Sequence, residues 1–171
     1  PNTTSEEDIN AARDFLIENG QNVTYINQDD GQEVLARGEV DMTSEYSGDI
    51  FQVIDECACE DYGYVIPSEG TLYWFDSIVI PAGAPNKALA EVFIDYILDP
   101  QVGADISNYT AYGSPNKAAI DQGLIDPELL ANPGIYPSEA TLQNLFFSQQ
   151  DADTEYLYNN AWEEVKIALG Q

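Results

Sequence analysis

Thr71-Leu72-Tyr73-Trp74-Phe75-Asp76-Ser77-Ile78-Val79-Ile80 reads as an apolar strand from Leu72 to Ile80, bounded by Gly70 and Pro81. After the turn at Pro85-Asn86, Leu89, Val92, Phe93, Tyr96 and Ile97 recur at helical spacing, which predicts a helix over 86–98. A strand followed by a helix of this kind indicates an α/β layer. The same alternation extends upstream. Ser5 before Glu6, Glu7 and Asp8 reads as a helix cap with acids in the first turn. The expected buried stripe of that helix is Ile9, Ala12, Phe15 and Leu16, and Gly20 ends it. Further strands are expected at Asn22–Ile26, Glu39–Thr43 and Tyr62–Pro67, with a short helix at Gln32–Arg37 and a helix carrying Ile50, Phe51, Val53 and Ile54. Downstream, Asp99-Pro100 stops one helix and starts another, running roughly to Asn108. Tyr112–Asn116 is turn-rich, and 123–150 reads as short helices and loops punctuated by Pro127, Pro133 and Pro137. The last helix is expected over 152–169, with Leu157, Ala161, Val165 and Leu169 on one face.

The chain has 171 residues, a length that suits one domain or somewhat more and allows about 70% of the unfolded surface to be buried. Its 44% hydrophobic and 11% aromatic content argues against disorder, despite a net charge of -26. Five Lys and Arg cannot form an extended basic face, which disfavours nucleic-acid binding. The absence of His removes Ser-His-Asp and Cys-His catalysis and every His-containing zinc site. No apolar run approaches the ~20 residues of a spanning helix. No signal peptide is visible at Pro1, so either one has been removed or the natural protein begins upstream. The 31 acids have two compatible readings: a solvated acidic surface suited to salt, and a negative cleft that concentrates a cationic ligand.

Cys57-Ala58-Cys59 could be a strained local disulfide or two free thiols. It is too small for zinc and lacks the two-residue spacing of a redox motif. Asp29-Asp30-Gly31 reads as a turn, since it lacks the alternating oxygens and distal Glu of a calcium loop. Two segments carry aromatic–acid pairs. Strand alternation puts Trp74 and Asp76 on one face, with Tyr73 and Phe75 opposite. Tyr46 and Asp49 sit three apart at a loop-to-helix junction. An indole can pack on methylenes and attract an alkylammonium, and a carboxylate can accept its charge-assisted hydrogen bonds. The alternative is that Trp74 is core and Asp76 caps a neighbouring element.

A series of short motifs runs in order along nearly the whole chain. They are Asn2-Thr3-Thr4, Gly38-Glu39-Val40-Asp41, Tyr46-Ser47-Gly48-Asp49, Tyr64-Val65-Ile66-Pro67-Ser68-Glu69-Gly70, Trp74-Phe75-Asp76-Ser77 and Ile80-Pro81. Then come Ile97-Leu98-Asp99-Pro100, Tyr112-Gly113-Ser114-Pro115-Asn116, Asn132-Pro133-Gly134-Ile135-Tyr136-Pro137 and Ala161-Trp162. In this order and spacing the chain resembles the C-terminal half of the spermidine/putrescine-binding proteins of ABC transporters, extracellular solute-binding proteins of the type II periplasmic-binding-protein fold. That resemblance implies an α/β protein of two lobes, about twice this length. Residues 1–75 would form an α/β segment of the second lobe, 76–122 would belong to the first lobe, and 123–171 would return to the second with the C-terminal helix. The N-terminal part of the first lobe would be absent, a further pair of acids would lie upstream of Pro1, and the helices at 86–108 would expose apolar surface.

The resemblance also implies roles. Trp74 matches an aromatic packing on the polyamine chain, and Asp76 an acid that binds an amine. Tyr46 stands where Trp is frequent, Asp49 matches an acid of putrescine-type members, and Tyr112 an aromatic of the cleft. Ser148 or Gln149 matches a further amine contact. Putrescine or spermidine would bind between lobes that close by a hinge and present the closed form to a membrane permease, with no catalysis, metal or cofactor. The location would be periplasmic or extracellular, with a lipid anchor left open. The competing readings are a binding protein of the same fold for another solute, a polyamine sensor, or a glycoside hydrolase using Asp49 and Asp76 as acid and base.

Overall fold

The computed structural model describes residues 2–27, 29–59, 61–149 and 151–171. Nine α-helices are assigned among them: α1 (Glu6–Asn19), α2 (Gly31–Ala36), α3 (Ser47–Cys57), α4 (Lys87–Ile97), α5 (Pro100–Thr110), α6 (Lys117–Asp121), α7 (Pro127–Ala131), α8 (Glu139–Leu142) and α9 (Glu155–Ala168). Polar side chains set several of their starts. Ser5 accepts a hydrogen bond from the Asp8 amide, and Asp99 accepts from Gln101 and Val102. Asn116, Asp126 and Ser138 cap α6, α7 and α8 in the same way. Pro100 occupies the first turn of α5, where its missing N–H leaves nothing unpaired.

The chain forms two compact units. One joins the segment ending at Thr43 to Phe146–Gln171, and the other is Ser44–Leu145. In the first, α1 packs along α9. The α9 stripe is as the sequence predicts, with Ala161 and Val165 buried and Leu157 and Leu169 partly covered. The α1 stripe is different. Ile9 is buried, but Phe15 and Leu16 are exposed, and the covered ridge continues through Arg13, Ile17 and Gly20. Positions four apart form the ridge that fits a neighbouring helix, and Arg13 belongs on it through its ion pair with Glu164 on α9. Gly20 ends α1 against Leu169, where a Cβ would lie 2.8 Å from a side-chain methyl carbon.

In the second unit, Ala104 of α5, Ala119 of α6 and Ile125 form a small core, with Ile120, Leu124, Leu129 and Tyr136 packed on it. The Tyr136 hydroxyl accepts from the Ser114 amide and so holds the turn after Tyr112. α4 buries none of its residues: Leu89, Val92, Phe93 and Tyr96 are 68%, 64%, 56% and 61% exposed. This is the exposed apolar surface expected of that region.

The expected strands do not form a sheet ladder among the described residues. Asn22 closes a 3-10 turn, and the segments 23–26, 39–43, 62–67 and 72–80 are irregular, apart from an isolated bridge at Leu72. Residues 62–67 keep the period of a strand, alternating half-buried and exposed. A strand needs a neighbour for its N–H and C=O groups, and strands of an α/β layer are buried on both faces. Phe75, Ile78 and Val79 are instead exposed. The α/β pattern is therefore present in the sequence without a sheet closing inside these residues. Cys57 and Cys59 form a disulfide across Ala58, which adopts a left-handed conformation after α3. Asp30 and Gly31 lead into α2, and an Asp30 carboxylate oxygen accepts from the Tyr25 hydroxyl.

Candidate functional site

The start of α3 brings together most of the candidate residues. Tyr46 is its N-cap, in extended conformation, and Asp49 lies in its first turn, where the helix dipole favours a carboxylate. Trp74 meets Tyr46 edge-on, with ring centroids 4.8 Å apart and an angle of 65°. This is a favoured arrangement of two aromatic quadrupoles. Both rings remain open, Tyr46 at 46% and Trp74 at 42% exposed. Trp74 is thus not a core residue. Tyr73 and Phe75 form a separate pair, with centroids 6.0 Å apart, consistent with alternation along the segment. Asp76 is exposed and makes no hydrogen bond or ion pair among the described residues, so it caps no element there.

Tyr112 reaches the same place from α5. Ala111 ends that helix with φ 58°, and the Ser107 hydroxyl donates to the Tyr112 carbonyl. The Tyr112 ring lies directly on Gly48, where a Cβ would sit 2.2 Å from a ring carbon. The Tyr112 phenol is pushed well above its ordinary range. Burial is the largest cause, followed by the neighbouring Asp49, whose charge raises it and whose backbone works the other way; Glu45 adds to the effect. Glu45 also accepts a hydrogen bond from the Tyr46 amide at 3.0 Å. Glu45 and Gln52 are neighbours that the sequence reading did not single out; Gln52 lies one helical turn beyond Gly48.

All five cations of the chain are engaged elsewhere. Arg13 pairs with Asp14 and Glu164, Arg37 with Glu33 and Glu39, Lys87 with Glu91, Lys117 with Asp121 and Lys166 with Glu163. Among the described residues, no Lys or Arg pairs with Asp49 or Asp76. Two aromatic rings and unneutralised carboxylates can hold an organic cation by cation–π contact and charge-assisted hydrogen bonds.

Ser148 and Gln149 belong to the other unit. There the Asn2 side chain donates to the Phe147 carbonyl at 2.7 Å and accepts from the Gln149 amide at 2.9 Å. Gln149 lines a polar cavity of about 440 Å³ with Asn2, Thr3, Asp151, Thr154 and Tyr158. The structure thus groups Tyr46 with Trp74 and Tyr112 with Asp49 at one helix start, with Asp76 two residues beyond Trp74.

The family model for the bacterial extracellular solute-binding proteins matches residues 1–136. Among curated proteins, the chain is 33% identical to the putrescine-binding periplasmic protein PotF of Escherichia coli K12, covering 97% of this chain and 46% of that protein. It is 30% identical to the spermidine/putrescine-binding periplasmic protein of Salmonella typhimurium and to the putrescine/agmatine-binding protein of Pseudomonas aeruginosa, covering 96% of this chain and 46% of the relative in each case. The chain spans about half the length of the curated relatives it matches. It belongs to the family of bacterial extracellular solute-binding proteins.

Proposed function

We propose that this chain carries one side of a polyamine-binding cleft, in a periplasmic protein that delivers putrescine or spermidine to an ABC importer. The observation that carries the reading is the corner at the start of α3: Tyr46 and Trp74 edge to face at 4.8 Å, with Asp49 adjacent and every cation of the chain paired elsewhere. The names of the relatives support the same ligand class. Trp74 packs on the methylene chain, Asp76 and Asp49 accept from ammonium groups, and Tyr46 and Tyr112 wall the site. The ligand is bound and released unchanged, and the closed form is what the permease recognises.

The lobes follow the same reading. Residues 1–75 and 123–171 belong to the second lobe, and 76–122 to the first, whose remainder lies in the other half of the relatives' length. The exposed apolar face of α4 supports this, because Leu89, Val92, Phe93 and Tyr96 together are costly to leave in water. Closure of the lobes desolvates the amines, so each charge requires an acid beside it. The test is calorimetric titration with putrescine, spermidine and a neutral sugar at two salt concentrations. Polyamine binding that weakens with salt supports the reading. Preference for the sugar overturns it.

A further inference from the structure

Gln52 sits on α3 one turn after Gly48, and its side-chain amide has two protons to donate. One goes to the Thr110 carbonyl at the end of α5, at 3.0 Å, and the other to the Gly48 carbonyl at 3.3 Å. The amide therefore joins the end of the helix that delivers Tyr112 to the turn that holds Asp49. Two more features act on the same register. Ser107 is buried and its hydroxyl donates to the Tyr112 carbonyl. Gly48 is bare, so the Tyr112 ring can rest on the backbone of α3; a Cβ there would fall 2.2–2.6 Å from three ring carbons. These contacts hold the Tyr112 ring on the backbone of α3 at Gly48, next to Asp49. A carboxylate fixed before the ligand arrives loses less freedom on binding.

Accepting the polyamine reading above, we infer that Gln52 is a positioning residue of the site: by bridging the Gly48 and Thr110 carbonyls it fixes Tyr112 against Asp49 and presents a preformed carboxylate to an ammonium ligand. Gln52 has no need to touch the ligand. Tyr112 accordingly acts as the support of Asp49 as well as a wall of the cleft. The charged groups that bear on the Tyr112 phenol are Asp49 and Glu45, both at the start of α3.

The test reads two quantities in Gln52→Met, which keeps the length of the side chain and removes both donors. The first is the alkaline titration of Tyr112, followed by phenolate absorbance as the difference from Tyr112→Phe. The second is the affinity for putrescine. The account expects the Tyr112 titration to move down towards that of an ordinary tyrosine. It also expects putrescine affinity to fall about tenfold, the scale of one lost orienting hydrogen bond. Should Gln52→Met fail to fold, Ser107→Ala carries the test, with a shift of the titration in the same direction. A Tyr112 titration unchanged in the folded variant overturns the positioning role. The titration needs no ligand, so it decides this role even if the unsubstituted protein binds no putrescine. That last outcome overturns the functional reading alone.

Discussion

α9 and α4 are both legible in the sequence as amphipathic helices, yet only one has its apolar face covered. In α9, Ala161 and Val165 are buried against α1, and Val165 is 2% exposed. In α4, four large apolar residues at helical spacing are each more than half exposed. Periodicity states which face of a helix prefers to be dry. It does not state what covers that face. The contrast separates a helix pair whose apolar stripes cover one another from a helix whose apolar face is open among the described residues.

Paired substitutions give the largest expected effect. Val165→Asp buries a charge at a position only 2% exposed and is expected to cost more than about 4 kcal/mol in urea unfolding. Phe93→Asp, on the open face of α4, is expected to stay within about 0.5 kcal/mol in this chain. Similar losses in the two variants would break the comparison. Next come the ligand contacts. Asp76→Asn is expected to weaken putrescine binding by about 10- to 100-fold, as for the loss of one charge-assisted hydrogen bond. Trp74→Ala is expected to weaken it by about tenfold through lost cation–π contact. Because Trp74 is half exposed and Asp76 has no partner among the described residues, neither change should move the urea midpoint appreciably.

A smaller effect comes from Tyr112. Its phenol holds its proton more tightly in the fold than in the unfolded chain, where the value is about 10. Its contribution to stability is therefore complete below about pH 10 and is lost as pH rises through the higher folded value. Unfolding curves at rising alkaline pH should show a decline that is reduced in Tyr112→Phe. The smallest effect is expected of Arg37→Ala. Arg37 draws Glu39 below the usual carboxylate range, but both side chains are exposed and screened by water, and the urea midpoint should scarcely change.

The helices were legible because their signals are local. Ser5, Asp99-Pro100 and Asn116 mark starts with side chains that bond the first free amides. The strands were expected wrongly, because a ladder needs a paired neighbour that spacing along one segment does not identify. The Leu72–Ile80 stretch has the composition of a strand and no ladder among the described residues. The stripe of α1 was misassigned for a related reason. Arg13 is charged, and only its pairing with Glu164 on α9 shows that its stem lies on the covered ridge. At the candidate site, Tyr46, Asp49, Trp74 and Asp76 were visible as aromatic–acid pairs. That Tyr46 meets Trp74, and that Tyr112 rests on Gly48, are contacts between residues 28 and 64 positions apart. No periodicity reports them. Gln52 carries no sequence signal beyond its place one turn after Gly48.

The central claim is that the Tyr46–Trp74 corner with Asp49 and Asp76 takes an organic cation. Its most direct test is calorimetric titration of the protein with putrescine, at low and high salt, beside Asp76→Asn. The account predicts saturable binding that weakens as salt rises and falls at least tenfold in the variant. No saturable binding of putrescine or spermidine, or binding indifferent to Asp76→Asn, would contradict it.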